Sequence, residues 1–317
     1  MKLTVLDGHA ANPGDVSWDA IKALAETFTV YDRTPPELVV ERIADSDAIL
    51  LNKIQITKEI IAACPSLKYI GVLATGYNVV DTAACRERGI IVTNIPAYST
   101  DAVAQHVFAF ILAFTNRVAE HSASVQDGDW IASPDFCYWL TPLTELSGKT
   151  LGIFGFGNIG RKVAQIAHAL GLRVIVHVHR QSSFTGGEET VSREELFRQS
   201  DFLTLHAPLT PETAGLLNRA NLALMKPTAY VINTARGGLA DEKAVREALD
   251  AGTIAGYAAD VVLEEPMSAD CPLYGAPNCL LTPHIAWAPK ETRERLLGIA
   301  ESNLRAFLAG KTQNGVS

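Results

Sequence analysis

The segment TLGIFGFGNIGRKVAQIAHALGLRVIVHVHR, residues 150–180, constrains this chain more than any other stretch. An apolar run ends on Gly155, glycines recur at 157 and 160, a helix-forming stretch spans 158–170, and a second apolar run reaches Val178. Strand, glycine turn, helix and strand in that order make the βαβ unit of a parallel sheet. Gly155 permits the tight turn, Gly157 lets a pyrophosphate approach the backbone, and Gly160 lets helix and strand pack closely. Asn158 and Ile159 stand at the amino end of the helix, where free N–H groups and the dipole favour phosphate. Read for structure alone, these glycines make a tight turn; the flanking strands favour a dinucleotide site.

The second strand of such a unit usually ends in a carboxylate that holds the adenosine ribose. Here Val178 takes that place, with His179 and Arg180 behind it and Ser182 and Ser183 close by. Valine neither accepts a hydrogen bond from the ribose 2′-OH nor repels a 2′-phosphate. An arginine fork, assisted by His179 and the serine hydroxyls, suits that phosphate. The competing reading is an arginine solvated at a strand end. The segment predicts NADP(H), with NAD as the weaker alternative.

Short β-rich runs alternate with helical patterns along the rest of the chain. Strands are expected at 3–7, 47–51, 67–72 and 90–94, and helices at 17–27 and 57–64. One long helix is expected over 101–125, too apolar all round for a monomer surface and therefore buried between domains or subunits. A loop at 140–149 precedes the second β/α series, and a last helix at 290–310 is expected to return to the first domain. With 317 residues and 48% hydrophobic content, two doubly wound parallel-sheet domains fit the chain. A net charge of −8 argues against nucleic acid and anionic membrane as partners. The apolar run at 107–114 is too short to cross a bilayer, and the amino-terminal one too short for a signal peptide. Five cysteines without a C-x-x-C pair suit reduced thiols, no metal site and a cytoplasmic protein.

Three further strand ends carry polar groups where an open α/β sheet places its ligand. INTARGG supplies Arg236, AADVVLEEP supplies Asp260 and Glu265, and LLTPHIAW supplies His284. Arg236 offers a planar fork for a carboxylate or carbonyl, and Glu265 is suited to orient and charge His284. By spacing alone, the same residues also read as surface or capping groups.

The motifs LATGYNVVD, NIPAYSTDAVAQH, GFGNIG, HAPLTPETAGLLN, NTARGG, DVVLEEP and TPHIAW cover nearly the whole chain. In this order they resemble the D-isomer-specific 2-hydroxyacid dehydrogenases. DFCYW with HIAWAPKETRERL most resembles the glycerate dehydrogenase/hydroxypyruvate reductase branch. The resemblance implies a Rossmann cofactor domain, 99–287, inserted into a flavodoxin-like substrate domain made of 1–98 and 288–317. It implies that Arg236, Glu265 and His284 are catalytic and that Asp260 is an acid near the nicotinamide. It makes Ala207, Pro208, Thr213, Thr234 and Ala235 cofactor contacts, and the Thr75 and Gly76 amides holders of the substrate carboxylate. It also implies a homodimer built on the 101–125 helix, with Trp139 narrowing the neighbour's substrate pocket. Leu140 departs from the aspartate usual in relatives. The expected activity is NADPH-preferring reduction of hydroxypyruvate or glyoxylate, reversible as D-glycerate oxidation. A phosphoglycerate dehydrogenase would be expected to carry a further regulatory domain. Formate lacks the C2 carbon that this acid–base pair would serve. From another class, a dinucleotide-sensing corepressor-like binding module shares the fold.

Overall fold

Apolar runs too short for helices become parallel strands in two separate sheets. The computed structural model describes residues 1–178 and 186–316. The expected 2′-phosphate contacts His179, Arg180, Ser182 and Ser183 therefore lie outside the described residues. The chain divides into two units, Met1–Ser99 with Trp287–Ser317, and Thr100–Ala286.

The first unit holds β1 (Lys2–Val5), β2 (Thr27–Val30), β3 (Ala48–Leu51), β4 (Tyr69–Val72) and β5 (Ile91–Thr93). Among the described residues they form a parallel sheet in the order β2-β1-β3-β4-β5, the flavodoxin-like arrangement. Strands β3 and β4 are buried at every residue, so both faces are covered and their sequences run apolar without alternation. The last helix, Lys290–Leu308, packs here. Leu296, Ala300 and Leu304 recur every four residues and meet Leu3, Val5 and Tyr69 in one core. Asn303 donates to the Asn94 carbonyl at 3.0 Å, and the Arg293 guanidinium forks onto Asp15 at 2.6 and 2.7 Å.

The second unit holds β6 (Thr150–Phe154), β7 (Arg173–His177), β8 (Glu189–Thr190), β9 (Phe202–Leu205), β10 (Tyr230–Asn233), β11 (Gly256–Ala259) and β12 (Cys279–Leu281). Its order is β8-β7-β6-β9-β10-β11-β12, all parallel. That is the doubly wound dinucleotide order with one strand added, and its switch point lies between β6 and β9.

Two expectations need correction. The 17–27 helix is only Asp19–Lys22, and Thr27 already opens β2. This edge strand has no fully buried residue, so no apolar run marks it. The expected 101–125 helix is two helices, Thr100–Asn116 and Val118–Gln126, bent by 53°. Arg117 breaks it in the left-handed conformation at φ 45°. The Thr115 carbonyl accepts Thr144 N–H at 3.2 Å, and the Arg117 carbonyl accepts both the His121 N–H at 3.1 Å and the His121 ring at 2.9 Å. The first helix buries Val107, Phe108, Ile111 and Phe114 inside its own unit. Among the described residues no single helix is long and apolar enough to cross a membrane.

Leu304→Ala should cost about 2–5 kcal/mol by cavity formation, read from denaturant unfolding of the full chain. A loss below about 1 kcal/mol would show that the last helix does not hold the first unit's core.

Candidate active site

Each glycine of the 155–160 turn answers a different steric demand. Gly155 has φ +90°, and a Cβ there would lie 2.8 Å from the Ala207 nitrogen, across the switch point. At Gly160 a Cβ would lie 2.5 Å from the Gly155 carbonyl oxygen. At Gly157 a Cβ would meet nothing within 4 Å. The first two glycines therefore serve the fold, whereas Gly157 leaves space. It precedes the helix Asn158–Ala169, which has no side-chain cap. The amides of Asn158 and Ile159 thus remain available to an anion.

The sheet register sets the rest of the edge. His177, Phe154, Leu205, Asn233, Ala259 and Leu281 pair in one row across six strands. The next residue on each strand is Val178, Gly155, His206, Thr234, Asp260 and Thr282 in turn. Backbone bonds such as Asp260 N–H to Asn233 O and Thr282 N–H to Ala259 O, both 3.0 Å, continue the ladder one step. Val178, where an acid is usual, thus stands beside Gly155 at the end of β7.

Just past this row lies an acid–base pair. His284 Nδ1 is 2.7 Å from Glu265 Oε2, with both side chains about one-third exposed, at 29% and 34%. Donation from Nδ1–H to the carboxylate leaves Nε2 as the nitrogen that takes up or gives a proton. His284 has φ 55°, an uncommon conformation for a residue with a side chain.

Both partners are held by backbone contacts. Val262 N–H donates to Glu265 Oε1 at 3.3 Å, and Leu263 N–H to the buried Glu242 at 2.7 Å. A Cβ on Gly237 would fall 2.0 Å from the Val262 carbonyl, so the Arg236 turn is pressed directly against the Glu265 loop. Asp260 is 1% exposed, and its oxygens accept from Thr282, Ile285 and Ala286, the turn that carries His284. Its side chain is thus spent on that turn.

The other expected residues divide. Arg236 is exposed and donates to the Ala235 carbonyl at 2.7 Å, with no hydrogen bond to Glu265 or His284. The Thr234 hydroxyl is buried without a partner among the described residues. Ala207 lies against Gly155. Pro208 and Thr213 close their own loop, Thr213 Oγ1 donating to the Pro208 carbonyl at 2.7 Å. In the first unit the turn after β4 is held by Asn94 Nδ2 on the Thr75 carbonyl, 2.8 Å, and Thr75 Oγ1 on the Ile95 carbonyl, 2.9 Å. The Thr75 and Gly76 amides make no hydrogen bond among the described residues. Trp139 is exposed, at 65%.

Residues 108–286 match the profile of the D-isomer specific 2-hydroxyacid dehydrogenase NAD binding domain. The chain is 44% identical to a hydroxypyruvate reductase of Blautia hydrogenotrophica over the full length of both. The chain belongs to the D-isomer-specific 2-hydroxyacid dehydrogenase family. A glycerate dehydrogenase of Methylorubrum extorquens is 41% identical over 91% of each chain. The crystal structure of an NADPH-dependent glyoxylate/hydroxypyruvate reductase from Sinorhizobium meliloti superposes with a TM-score of 0.84 at 27% identity. It covers all of this chain and 98% of that one.

Within this 2-hydroxyacid dehydrogenase, several residues at the site have contacts that the sequence does not reveal. Gly237, Glu242 and His106 are an ordinary glycine, a helix-start glutamate and a helix histidine until the fold sets them against Val262, Leu263 and Thr282.

Gly155→Ala should lower stability by about 1–3 kcal/mol through backbone strain. Gly157→Ala should leave stability unchanged but weaken dinucleotide binding about tenfold or more, by fluorescence titration. Equal stability losses in the two variants would remove Gly157 from the phosphate cradle.

Proposed function

We propose that this chain reduces small 2-oxoacids, hydroxypyruvate or glyoxylate, to D-2-hydroxyacids with NADPH, reversibly as a D-glycerate dehydrogenase of the cytoplasm. The observation that carries the reading is the His284–Glu265 pair at 2.7 Å, set beside an edge with a glycine-lined, uncapped helix terminus. When bound, the nicotinamide supplies the hydride. The residues supply the rest. Arg236 is the exposed guanidinium that polarises the C2 carbonyl, and His284 gives its Nε2 proton to the oxygen that forms. Glu265 steadies the imidazolium, and the Thr75 and Gly76 amides receive the substrate carboxylate. Oxidation reverses each step with neutral His284 as base.

NADPH preference is supported by Val178 in the place of a ribose-binding acid, by Arg180 two residues on in sequence, and by the NADPH dependence of the Sinorhizobium relative. Purified protein assayed with a panel of 2-oxoacids against NADPH and NADH tests the reading. Arg180→Ala should raise KM for NADPH about ten- to hundredfold and KM for NADH far less. A parent preferring NADH would overturn the preference, and no turnover of any 2-oxoacid would favour the corepressor-like alternative.

Glu265→Gln replaces the carboxylate 2.7 Å from His284 Nδ1 by an amide of similar size, and kcat for reduction should fall about ten- to hundredfold with the NADPH dissociation constant unchanged. An unchanged kcat removes Glu265 from this role.

The reading includes a homodimer. Segment 118–143 presents Val118, Trp130, Ile131, Phe136, Trp139 and Leu143 to solvent, with Ile131 92% and Phe136 90% exposed. So much apolar surface on one segment suits a second copy of the chain. Light scattering should report a dimer at assay concentration, and Trp139→Gly should shift the substrate ranking toward bulkier 2-oxoacids. A monomer would sink the dimer.

A further inference from the structure

The turn that carries His284 is anchored on Asp260, and Asp260 is anchored in its turn. Asp260 Oδ1 accepts from Thr282 Oγ1 at 2.6 Å and from Ile285 N–H at 2.8 Å, and Oδ2 accepts from Ala286 N–H at 2.8 Å. His284 N–H closes the turn on the Thr282 carbonyl at 2.9 Å. On the far side stands His106, from the helix Thr100–Asn116. Its Nε2 is 3.0 Å from Thr282 Oγ1 and 3.8 Å from Asp260 Oδ1. Its ring lies edge-on to Phe110, 4.6 Å between centroids.

The direction of each bond follows from the number of hydrogens. A threonine hydroxyl has one, and the carboxylate 2.6 Å away takes it. Thr282 therefore accepts from His106, which must carry its hydrogen on Nε2. Burial holds the His106 ring below the usual histidine range, opposed by the Asp260 carboxylate. A neutral ring has one N–H to give, and this bond uses it. The chain runs from His106 to Thr282 to Asp260, and from Asp260 to the two amides that follow His284. All five residues belong to one unit.

We infer that His106 is a positioning residue for His284, acting through Thr282 and Asp260. It ties the turn that carries His284, with its uncommon backbone conformation, to the helix Thr100–Asn116, whose Val107, Phe108, Ile111 and Phe114 lie in the core of the unit. A polar side chain on the buried face of an apolar helix is otherwise costly. Here its hydrogen goes to the hydroxyl that itself donates to a buried carboxylate.

The inference rests on the proposed role of His284, and its test has an arm that does not. His106→Leu and Thr282→Val each remove one link at similar size, whereas His106→Gln keeps an N–H near the position of Nε2. In cofactor-free protein, the His284 ring Cε1–H signal, assigned with His284→Ala, should move in His106→Leu and Thr282→Val. It should return toward the parent position in His106→Gln. In turnover, the two disrupting variants should lose about ten- to hundredfold in kcat with the dissociation constant for NADPH within about twofold of the parent. Their combination should be no worse than the worse single variant, because one chain is broken once. An unmoved His284 signal, a His106→Gln variant as impaired as His106→Leu, or multiplying losses would overturn the inference. If His106→Leu fails to fold, Thr282→Val decides by the same arms. If the parent reduces no 2-oxoacid, the functional reading fails while the His284 signal still decides the positioning.

Discussion

The second unit depends on the register of its parallel sheet. Because Phe154, Leu205, Asn233, Ala259 and Leu281 pair across one row, the chain leaves each strand at the same level. Residues separated by 22 to 51 positions thereby become neighbours on adjacent strands. A one-residue slip in β11 would move Asp260 to the opposite face and put an apolar residue in its place. Parallel pairing also covers both faces of the sheet, so the carboxyl edge is where polar side chains meet solvent.

That edge divides into two kinds of polar group. Asp260 and Glu242 are buried and bonded to backbone amides of the loops they support. Glu265 and His284 are partly exposed and bonded to each other. Buried carboxylates so occupied are costly to disturb, which makes them suited to holding shape, whereas the partly exposed pair stays accessible to solvent. The same division explains the glycines. Gly155, Gly160 and Gly237 permit backbone to touch backbone, while Gly157 faces open space.

The segment after Arg117 follows a different logic. His121 donates through Nδ1 to the Arg117 carbonyl and accepts the Leu140 amide on Nε2 at 3.1 Å. One neutral ring thus pins both ends of the projecting segment. Its tertiary bonds are polar, and its apolar residues turn outward. This is the opposite of the helix Thr100–Asn116, whose apolar residues are spent inside.

The sequence by itself determined the two doubly wound sheets, the phosphate turn and the identities of Arg236, Glu265 and His284 as polar residues just beyond apolar strands. Periodicity and glycine spacing are local properties, so they can be read without coordinates. It also located Val178 where an acid is usual. Sequence did not reveal β2, whose pairing with β1 rather than any apolar run makes it a strand, nor the break at Arg117, which depends on donors from Thr144 and His121. Among the site residues, tertiary structure alone decided that Asp260 spends its carboxylate on the turn carrying His284, and that Gly237, Glu242 and His106 support its neighbours. Those roles arise from contacts between distant segments, and a side chain's type does not say which amide or hydroxyl the fold will set 2.6–3.0 Å away.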